Sequence, residues 1–422
     1  MPLKPIVTEI AGLPVPQLAA QFGTPCYVYD ASRIRRRIGD LAEFDVVRYA
    51  QKACSNIHIL KLVREAGAVV DAVSAGEIHR ALAAGYTASG DPPPIVYTAD
   101  LFDAESLDLC VGQDIHVNCG SPDMIDQLAA RAPGRNITLR INPGFGHGHS
   151  QKTNTGGEQS KHGVWHEQLA DVALQAEDQG LGISGLHMHI GSGTDLRHLS
   201  QVCEAMRRAA EEVGRGVRTI SAGGGLPVPY REGESYCDLD EYFALWDATR
   251  KGLETTFGHK ISLEIEPGRY ISAESGFLIA EIRAVKKMGG NLFYIVNTGF
   301  HHLARPIMYG AYHPIAICPH SGKAEARPTQ PVVVGGPLCE SGDIFTQREG
   351  GFVETRELPV ANVGDFLILA GAGAYGFCMA SNYNSHPLPP EVLVEDEDGA
   401  ATPRLIRRRQ TYPEMLAAEL EV

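Results

Sequence analysis

From residue 46 to residue 265 short apolar runs alternate with helix-like segments, and this alternation most constrains what the chain can fold into. Candidate strands are 46–50, 69–73, 95–98, 115–118, 137–141, 184–190, 218–221 and 261–265. Most are followed by amphipathic stretches such as Glu77 to Ala84, closed by Gly85. A helix between two strands carries the chain back to start the next strand in the same direction, so the strands run parallel. Eight such units predict a closed α/β structure, a (β/α)8 TIM-like barrel.

After about residue 270 the texture changes. The runs 277–280, 293–296, 331–334 and 366–369 come without intervening helices, separated by Gly, Pro and polar turns. That pattern predicts an all-β second domain, a β-sandwich or β-barrel. The early run 26–29 precedes the barrel series and is placed with this second domain. At 422 residues the chain exceeds one ordinary core. The expected division is a barrel over 30–270 and a β-domain built from 1–29 and 271–422. Between the fifth and sixth barrel strands, 142–183 holds turn-rich pieces, Gly144 to His149 and Thr155-Gly156-Gly157. A long insertion after a barrel strand points to binding.

Composition excludes several classes of function. A net charge of −14 opposes a nucleic-acid or anionic-membrane surface. The basic runs at 33–37 and 407–409 are short and read as solvated faces. Met1 to Pro5 lacks the charged start and apolar core of a signal peptide, and no stretch is long and apolar enough to span a bilayer. Nine cysteines without close-set pairs, and no CxxC or HExxH, fit a reducing compartment and no metal site. A cytoplasmic enzyme is expected.

Barrel enzymes carry their chemistry where the strands end. The first candidate strand runs into Lys52, the sixth into His187-Met188-His189-Ile190-Gly191-Ser192-Gly193, the seventh into Gly223-Gly224-Gly225, and the eighth into Glu266-Pro267-Gly268-Arg269. A lysine amine held at a strand's mouth can bond covalently to an aldehyde cofactor. Glycine runs let backbone N–H groups close around phosphate oxygens, and Ser192 could join that cradle. A histidine offers a flat face to a heteroaromatic ring, while a carboxylate can hold a proton on a pyridine nitrogen. Each feature has an ordinary alternative: a solvated lysine, a flexible turn, a structural histidine, an ion pair between Glu266 and Arg269. Together they meet the requirements of a pyridoxal 5'-phosphate site.

Several longer motifs extend the pattern. They are 22–29 (Phe-Gly-Thr-Pro-Cys-Tyr-Val-Tyr), Ser74 to Glu77, Arg140 to Gly144, Ser160 to Gly163, Arg305 to Tyr309, Gly336 to Asp343 (Gly-Pro-Leu-Cys-Glu-Ser-Gly-Asp) and Gly373 to Gly376. With the strand-end motifs, the chain resembles the fold-type III pyridoxal phosphate-dependent decarboxylases over nearly its whole length. It closely resembles their diaminopimelate decarboxylase branch. The resemblance implies that Lys52 carries the cofactor covalently, His189 stacks on its ring and Glu266 meets the ring nitrogen. It places Ser192, Gly225, Pro267, Gly268, Arg269 and Tyr375 around the cofactor and its phosphate. It implies Arg269, Arg305, Tyr309 and Tyr375 as substrate contacts, Glu340 at the distal amino group, and Cys339 as the proton donor. The implied reaction is decarboxylation of meso-2,6-diaminopimelate to L-lysine in a homodimer with shared active sites. A related decarboxylase acting on another basic or carrier-linked amino acid is the alternative. Three places depart from the family pattern: Asn297-Thr298-Gly299 replaces Asp-Ala-Gly, His301-His302 replaces Asn-Asp, and His386 replaces an arginine. The residues alone leave open whether these alter substrate preference.

Overall fold

In the computed structural model the alternating segments close into a barrel. The structure describes residues 3–146, 155–189, 191 and 196–420. The barrel strands are β1 (Val46–Ala50), β2 (Val69–Ala72), β3 (Ile95–Ala99), β4 (His116–Cys119), β5 (Asn136–Asn142), β6 (Gly182–Met188), β7 (Thr219–Ser221) and β8 (Ser262–Ile265). All neighbours run parallel, β8 pairs β1, and a pairing between β5 and β6 completes the ring. The eight predicted strands are all present. β6 lies two residues earlier than expected, because the His-Met-His-Ile run continues past the last residue that finds a partner, Met188 against Ile141. A two-residue strand, Val164–Trp165, adds beside β5 and carried no sequence signal.

The strands alternate in chemistry as well as direction. Tyr49, Val70, Tyr97, Val117, Leu139, Leu186, Ile220 and Leu263 form a buried apolar set. Many of the intervening positions are polar, and several bond to one another across strands. Asn118 donates to Thr98 at 3.3 Å, and His116 Nε2 meets Thr138 Oγ1 at 2.9 Å. On β1 and β8, Arg48 grips Glu264 with two parallel bonds of 3.1 and 3.0 Å. Arg48 is 1% exposed and also donates to the carbonyls of Val70 and Pro93. The sheet therefore encloses a polar, charge-balanced interior instead of the aliphatic layers common in such barrels.

Helix starts follow local chemistry. Ser74 accepts the N–H of Glu77 at 3.2 Å and opens the helix Ala75–Ala83, while Asp103 and Ser106 cap Ala104–Gly112 reciprocally. The long helix Leu239–Phe257 stops at Gly258 in the left-handed region (φ 75°). No helix of the described residues is long and apolar enough to cross a membrane.

The chain divides into two compact units: Arg35–Pro227 with Tyr236–Tyr270, and Met1–Ile34 with Val228–Ser235 and Ile271–Val422. The second unit is a nine-stranded mixed sheet. Its long strand Gly276–Met288 pairs first with Cys26–Asp30 and Phe366–Ala370, then with Asn291–Val296. The early strand Cys26–Asp30 thus joins this sheet, as expected. Helix Val15–Phe22 covers it, burying Val15 and Leu18 against Val28, Phe277, Ile279, Ile368 and Val392.

Removing one partner of a buried ion pair leaves the other charge desolvated and unmatched. Arg48→Met is therefore expected to destabilise the protein by about 3–5 kcal/mol, read as a fall in the thermal midpoint. The double variant Arg48→Met/Glu264→Leu is expected to recover most of that fall. A single variant as stable as wild type would contradict the charge-balanced interior.

Candidate active site

At the end of β1 the chain tightens into a single 3-10 turn, Gln51–Ala53, which leaves Lys52 exposed at the barrel mouth. Gly268 lies against this turn. A Cβ there would sit 3.0 Å from the Ala50 carbonyl oxygen and 3.1 Å from the Ala53 Cβ. Only glycine lets the segment after β8, Glu266-Pro267-Gly268-Arg269, close on the Lys52 turn. The charge of Lys52 is felt by Asp71, Glu77 and His189, which places these three around it.

Glu266 is buried immediately past β8. Its Oε2 meets His187 Nε2 at 2.7 Å, and its Oε1 accepts from Ser221 Oγ at 3.3 Å. Burial alone pushes the carboxyl up. His187, by charge and hydrogen bond, and then Arg48 outweigh that effect and hold Glu266 well below the usual carboxylate range. Asp71 on β2 is moved the other way, raised by burial and then by the charge of Glu266. Two carboxyl groups in one lumen thus hold protons very differently.

The two histidines of the sixth strand separate into different roles. His187 is the buried partner of Glu266, and its Nδ1 has no hydrogen-bond partner among the described residues. His189 lies one residue past β6. Its Nδ1 accepts the Gly224 N–H at 3.1 Å, so a proton on the ring sits at Nε2. Burial, then the charges of Lys52 and Arg140, hold His189 well below its ordinary value, so the ring is neutral. Its carbonyl accepts from Thr155 Oγ1 at 2.8 Å, which brings the insertion after β5 back onto it.

The triple glycine is required by close backbone approach. A Cβ on Gly223 would collide with Met188 and His189, one on Gly224 with the Glu266 carbonyl, and one on Gly225 with the Gly191 carbonyl. Gly223 and Gly225 also hold φ of 62° and 104°. Ser192 and Gly193, as well as His147 and His149 of the insertion, lie outside the described residues.

Four residues of this cluster were not singled out as site residues in the sequence: Asp71, Glu77, Arg140 and Glu266's partner Ser221. Glu77 accepts the Val73 N–H at 2.8 Å and is pushed up to about 7, mainly by burial. Arg140 is buried on β5 within reach of the charges of Asp71, Asp100 and Glu266. The signal that marks Asp71, Arg140 and Ser221 is a polar residue at every second position of an otherwise apolar strand.

The remaining expected site residues belong to the second unit. Arg305 is buried at the start of a short helix, Arg305–Tyr309. Its Nη1 donates to His313 Nε2 at 3.0 Å, and its guanidinium lies 5.0 Å from the Tyr230 ring centre. His313 in turn bonds the Ala370 carbonyl at 3.0 Å. Tyr375 holds a left-handed φ of 55°, a strained setting for an aromatic residue. Cys339 and Glu340 are exposed neighbours in the loop between Gly336 and Asp343. The Cys339 N–H donates to Asn384 at 2.8 Å, and Glu340 accepts from the Tyr383 hydroxyl at 3.1 Å.

The departures from the family pattern have structural partners. Asn297 accepts the Glu281 N–H and donates to Thr24, both at 2.9 Å. The His301 ring centre lies 3.6 Å from that of His302 and 4.8 Å from that of His386. Burial holds His301 and His302 low, at about 3 and about 2, so these two rings are neutral. No cluster of metal-holding groups occurs among the described residues.

Pyridoxal phosphate fits the barrel cluster. Orphaned buried atoms, Asp71 Oδ1 and His187 Nδ1, adjoin an ionised Glu266, a neutral imidazole and a cradle that any Cβ would fill. Residues 32–273 match the family described as pyridoxal-dependent decarboxylase, pyridoxal binding domain. The chain is 56% identical over 403 residues to a diaminopimelate decarboxylase of Streptomyces coelicolor, covering 96% of this chain and 91% of that one. It is 54% identical over 414 residues to the Escherichia coli K12 diaminopimelate decarboxylase, covering 98% of each. A solved diaminopimelate decarboxylase superposes with a TM-score of 0.94 at 54% identity, covering 99% of both chains. The Helicobacter pylori diaminopimelate decarboxylase solved with L-lysine gives a TM-score of 0.85 at 30% identity, covering 96% of this chain and 99% of that one. The chain belongs to the pyridoxal-dependent decarboxylases, and within them to the diaminopimelate decarboxylase family.

Proposed function

We propose that this chain removes CO2 from the D-configured centre of meso-2,6-diaminopimelate and releases L-lysine, the last step of lysine biosynthesis. The observation that carries this reading is the barrel-mouth cluster: Lys52, the ionised Glu266, the neutral His189 and the Gly223–Gly225 cradle. Relatives of the same name at 54–56% identity over nearly the whole chain support it. The Helicobacter pylori structure with L-lysine supports the product.

When bound, pyridoxal phosphate supplies an electron sink for the pair left behind as CO2 departs. Lys52 is the amine that would hold the cofactor covalently in the resting enzyme, giving way to the substrate's amine and reclaiming its place as product leaves. Glu266, kept anionic by His187, would retain a proton on the cofactor's ring nitrogen. His189, neutral and fixed by the Gly224 N–H, would stack on the ring, and Gly225, Ser192, Pro267, Gly268, Arg269 and Tyr375 would hold the ring and phosphate. Arg269, Arg305, Tyr309 and Tyr375 hold the substrate's carboxylates. Glu340 takes the distal amino group, so that chain length and charge are both measured. The Cys339 thiol gives its proton to the carbon that lost CO2, and the thiolate recovers one from solvent.

The chain divides functionally into a cofactor domain over 30–270 and a β-domain of 1–29 with 271–422. The loop bearing Cys339 and Glu340 completes the barrel site of a second copy, in a homodimer. A cytoplasmic setting is supported by nine cysteines with no disulfide among the described residues.

Three results are expected. Lys52→Ala abolishes both lysine formation from diaminopimelate and the visible absorbance of bound cofactor. Cys339→Ala keeps that absorbance but slows lysine formation about 10²–10⁴-fold, the contribution of a positioned proton donor. Full turnover by the second variant would remove Cys339 from its role. Mixing the two inactive variants after mild dissociation restores about a quarter of wild-type activity if sites are shared across a two-fold dimer. No recovery in a verified mixed dimer would mean that each subunit works with its own Cys339.

A further inference from the structure

We infer that Asn384 and Tyr383 are positioning residues for this reaction: Asn384 sets the backbone at Cys339, and Tyr383 sets the carboxylate of Glu340. This rests on the roles proposed above for Cys339 and Glu340. The loop from Gly336 to Asp343 is anchored at its root by Asp343, whose two oxygens accept the N–H groups of Phe300 at 2.8 Å and Leu338 at 2.9 Å. Gly299 and Gly336 pack so tightly on Asp343 that neither has room for a Cβ. The root is buried, yet the tip, where Cys339 and Glu340 sit, is exposed and needs a second hold.

The turn Tyr383–Ser385 supplies it. Asn384 Oδ1 accepts the Cys339 N–H at 2.8 Å, and the Tyr383 hydroxyl donates to Glu340 Oε2 at 3.1 Å. To reach those positions the turn places two successive non-glycine residues in the left-handed region, Asn384 at φ 54° and Ser385 at φ 57°. Such strain persists only where the surroundings over-determine it. Here Asn382 donates to the His386 carbonyl at 2.9 Å and to Gln410 at 2.6 Å. The Tyr383 ring packs on Phe300 at 5.3 Å, and His386 packs on His301. Three loops, 298–302, 336–343 and 382–386, are therefore knitted behind one exposed tip. The histidines that depart from the family pattern sit in this backing, and the His386 N–H donates to the Tyr383 carbonyl at 3.4 Å.

A proton donor displaced by a fraction of an ångström loses efficiency without weakening substrate binding. A displaced recognition carboxylate instead weakens binding and discrimination. The holoenzyme of three variants separates these. Asn384→Gly can adopt the turn but offers no acceptor, and is expected to lower kcat about tenfold or more with KM for diaminopimelate nearly unchanged. Asn384→Asp keeps the acceptor and tolerates the turn, and is expected to restore kcat. Tyr383→Phe is expected to raise KM for diaminopimelate about fivefold and to narrow the preference over D-2-aminopimelate, which lacks the distal amino group. The Tyr383 arm stands on a partly exposed side chain and reads out even if Asn384→Gly fails to fold. Wild-type kcat in Asn384→Gly, equal losses in Asn384→Gly and Asn384→Asp, or unchanged preference in Tyr383→Phe would overturn the inference. Cys339→Ala run alongside identifies the source of a failure. Slow turnover there with wild-type Asn384→Gly sinks only the positioning role; wild-type turnover there sinks the donor assignment and the Asn384 role together.

Discussion

A carboxylate shut inside a barrel remains an anion only where its neighbours outweigh the loss of water, and Glu266 is surrounded by such neighbours. His187 and Ser221 bond its two oxygens, and Arg48 adds charge from one strand away. Arg48 can stand there because Glu264 matches it, and the polar lumen as a whole follows from that pairing. Asp71 absorbs the consequence: sharing the lumen with a fixed anion, it holds its proton more tightly than an ordinary aspartate. Carboxyls whose environments drive them apart are a usual mark of acid–base division of labour. In this lumen the anionic member is the one beside the glycine cradle and the neutral imidazole.

Glycine sets the precision of both site regions. Gly268 brings the Glu266 segment onto the Lys52 turn, and Gly223 to Gly225 bring the end of β7 against Gly191, His189 and Glu266. In the second unit Gly299 and Gly336 close on Asp343. At Gly224 and Gly225 the close atoms are backbone carbonyl oxygens, so a single added methyl would move a whole segment, while at Gly299 and Gly336 it would push the anchoring Asp343 carboxylate aside.

Much of this was legible in the sequence, and the gaps have physical causes. Short apolar runs alternating with helix-like segments revealed all eight barrel strands, and runs without intervening helices revealed the switch to β structure after residue 270. A closed parallel barrel brings all its strand ends to one rim, and it gathers Lys52, His189, Gly225 and Glu266 there. The end of β6 was placed two residues late, as an apolar run does not report where its neighbour strand stops. Arg48, Asp71 and Arg140 were passed over because a charge within a strand looks like an interruption; it is the inward face of a polar lumen. The pairing of Tyr383 and Asn384 with Glu340 and Cys339 spans about 45 residues of chain and leaves no periodic trace. His301, His302 and His386 looked like independent departures, and only the fold shows that they meet.

The polar lumen and the glycine cradle lie around Lys52, where the proposed covalent attachment of the cofactor would form. Reducing the purified protein with borohydride and mapping the digest by mass spectrometry tests it directly. A pyridoxyl group on the peptide containing Lys52, and on no other lysine, is the predicted result. A label elsewhere, or a cofactor that washes away unreduced, would contradict the account at its root.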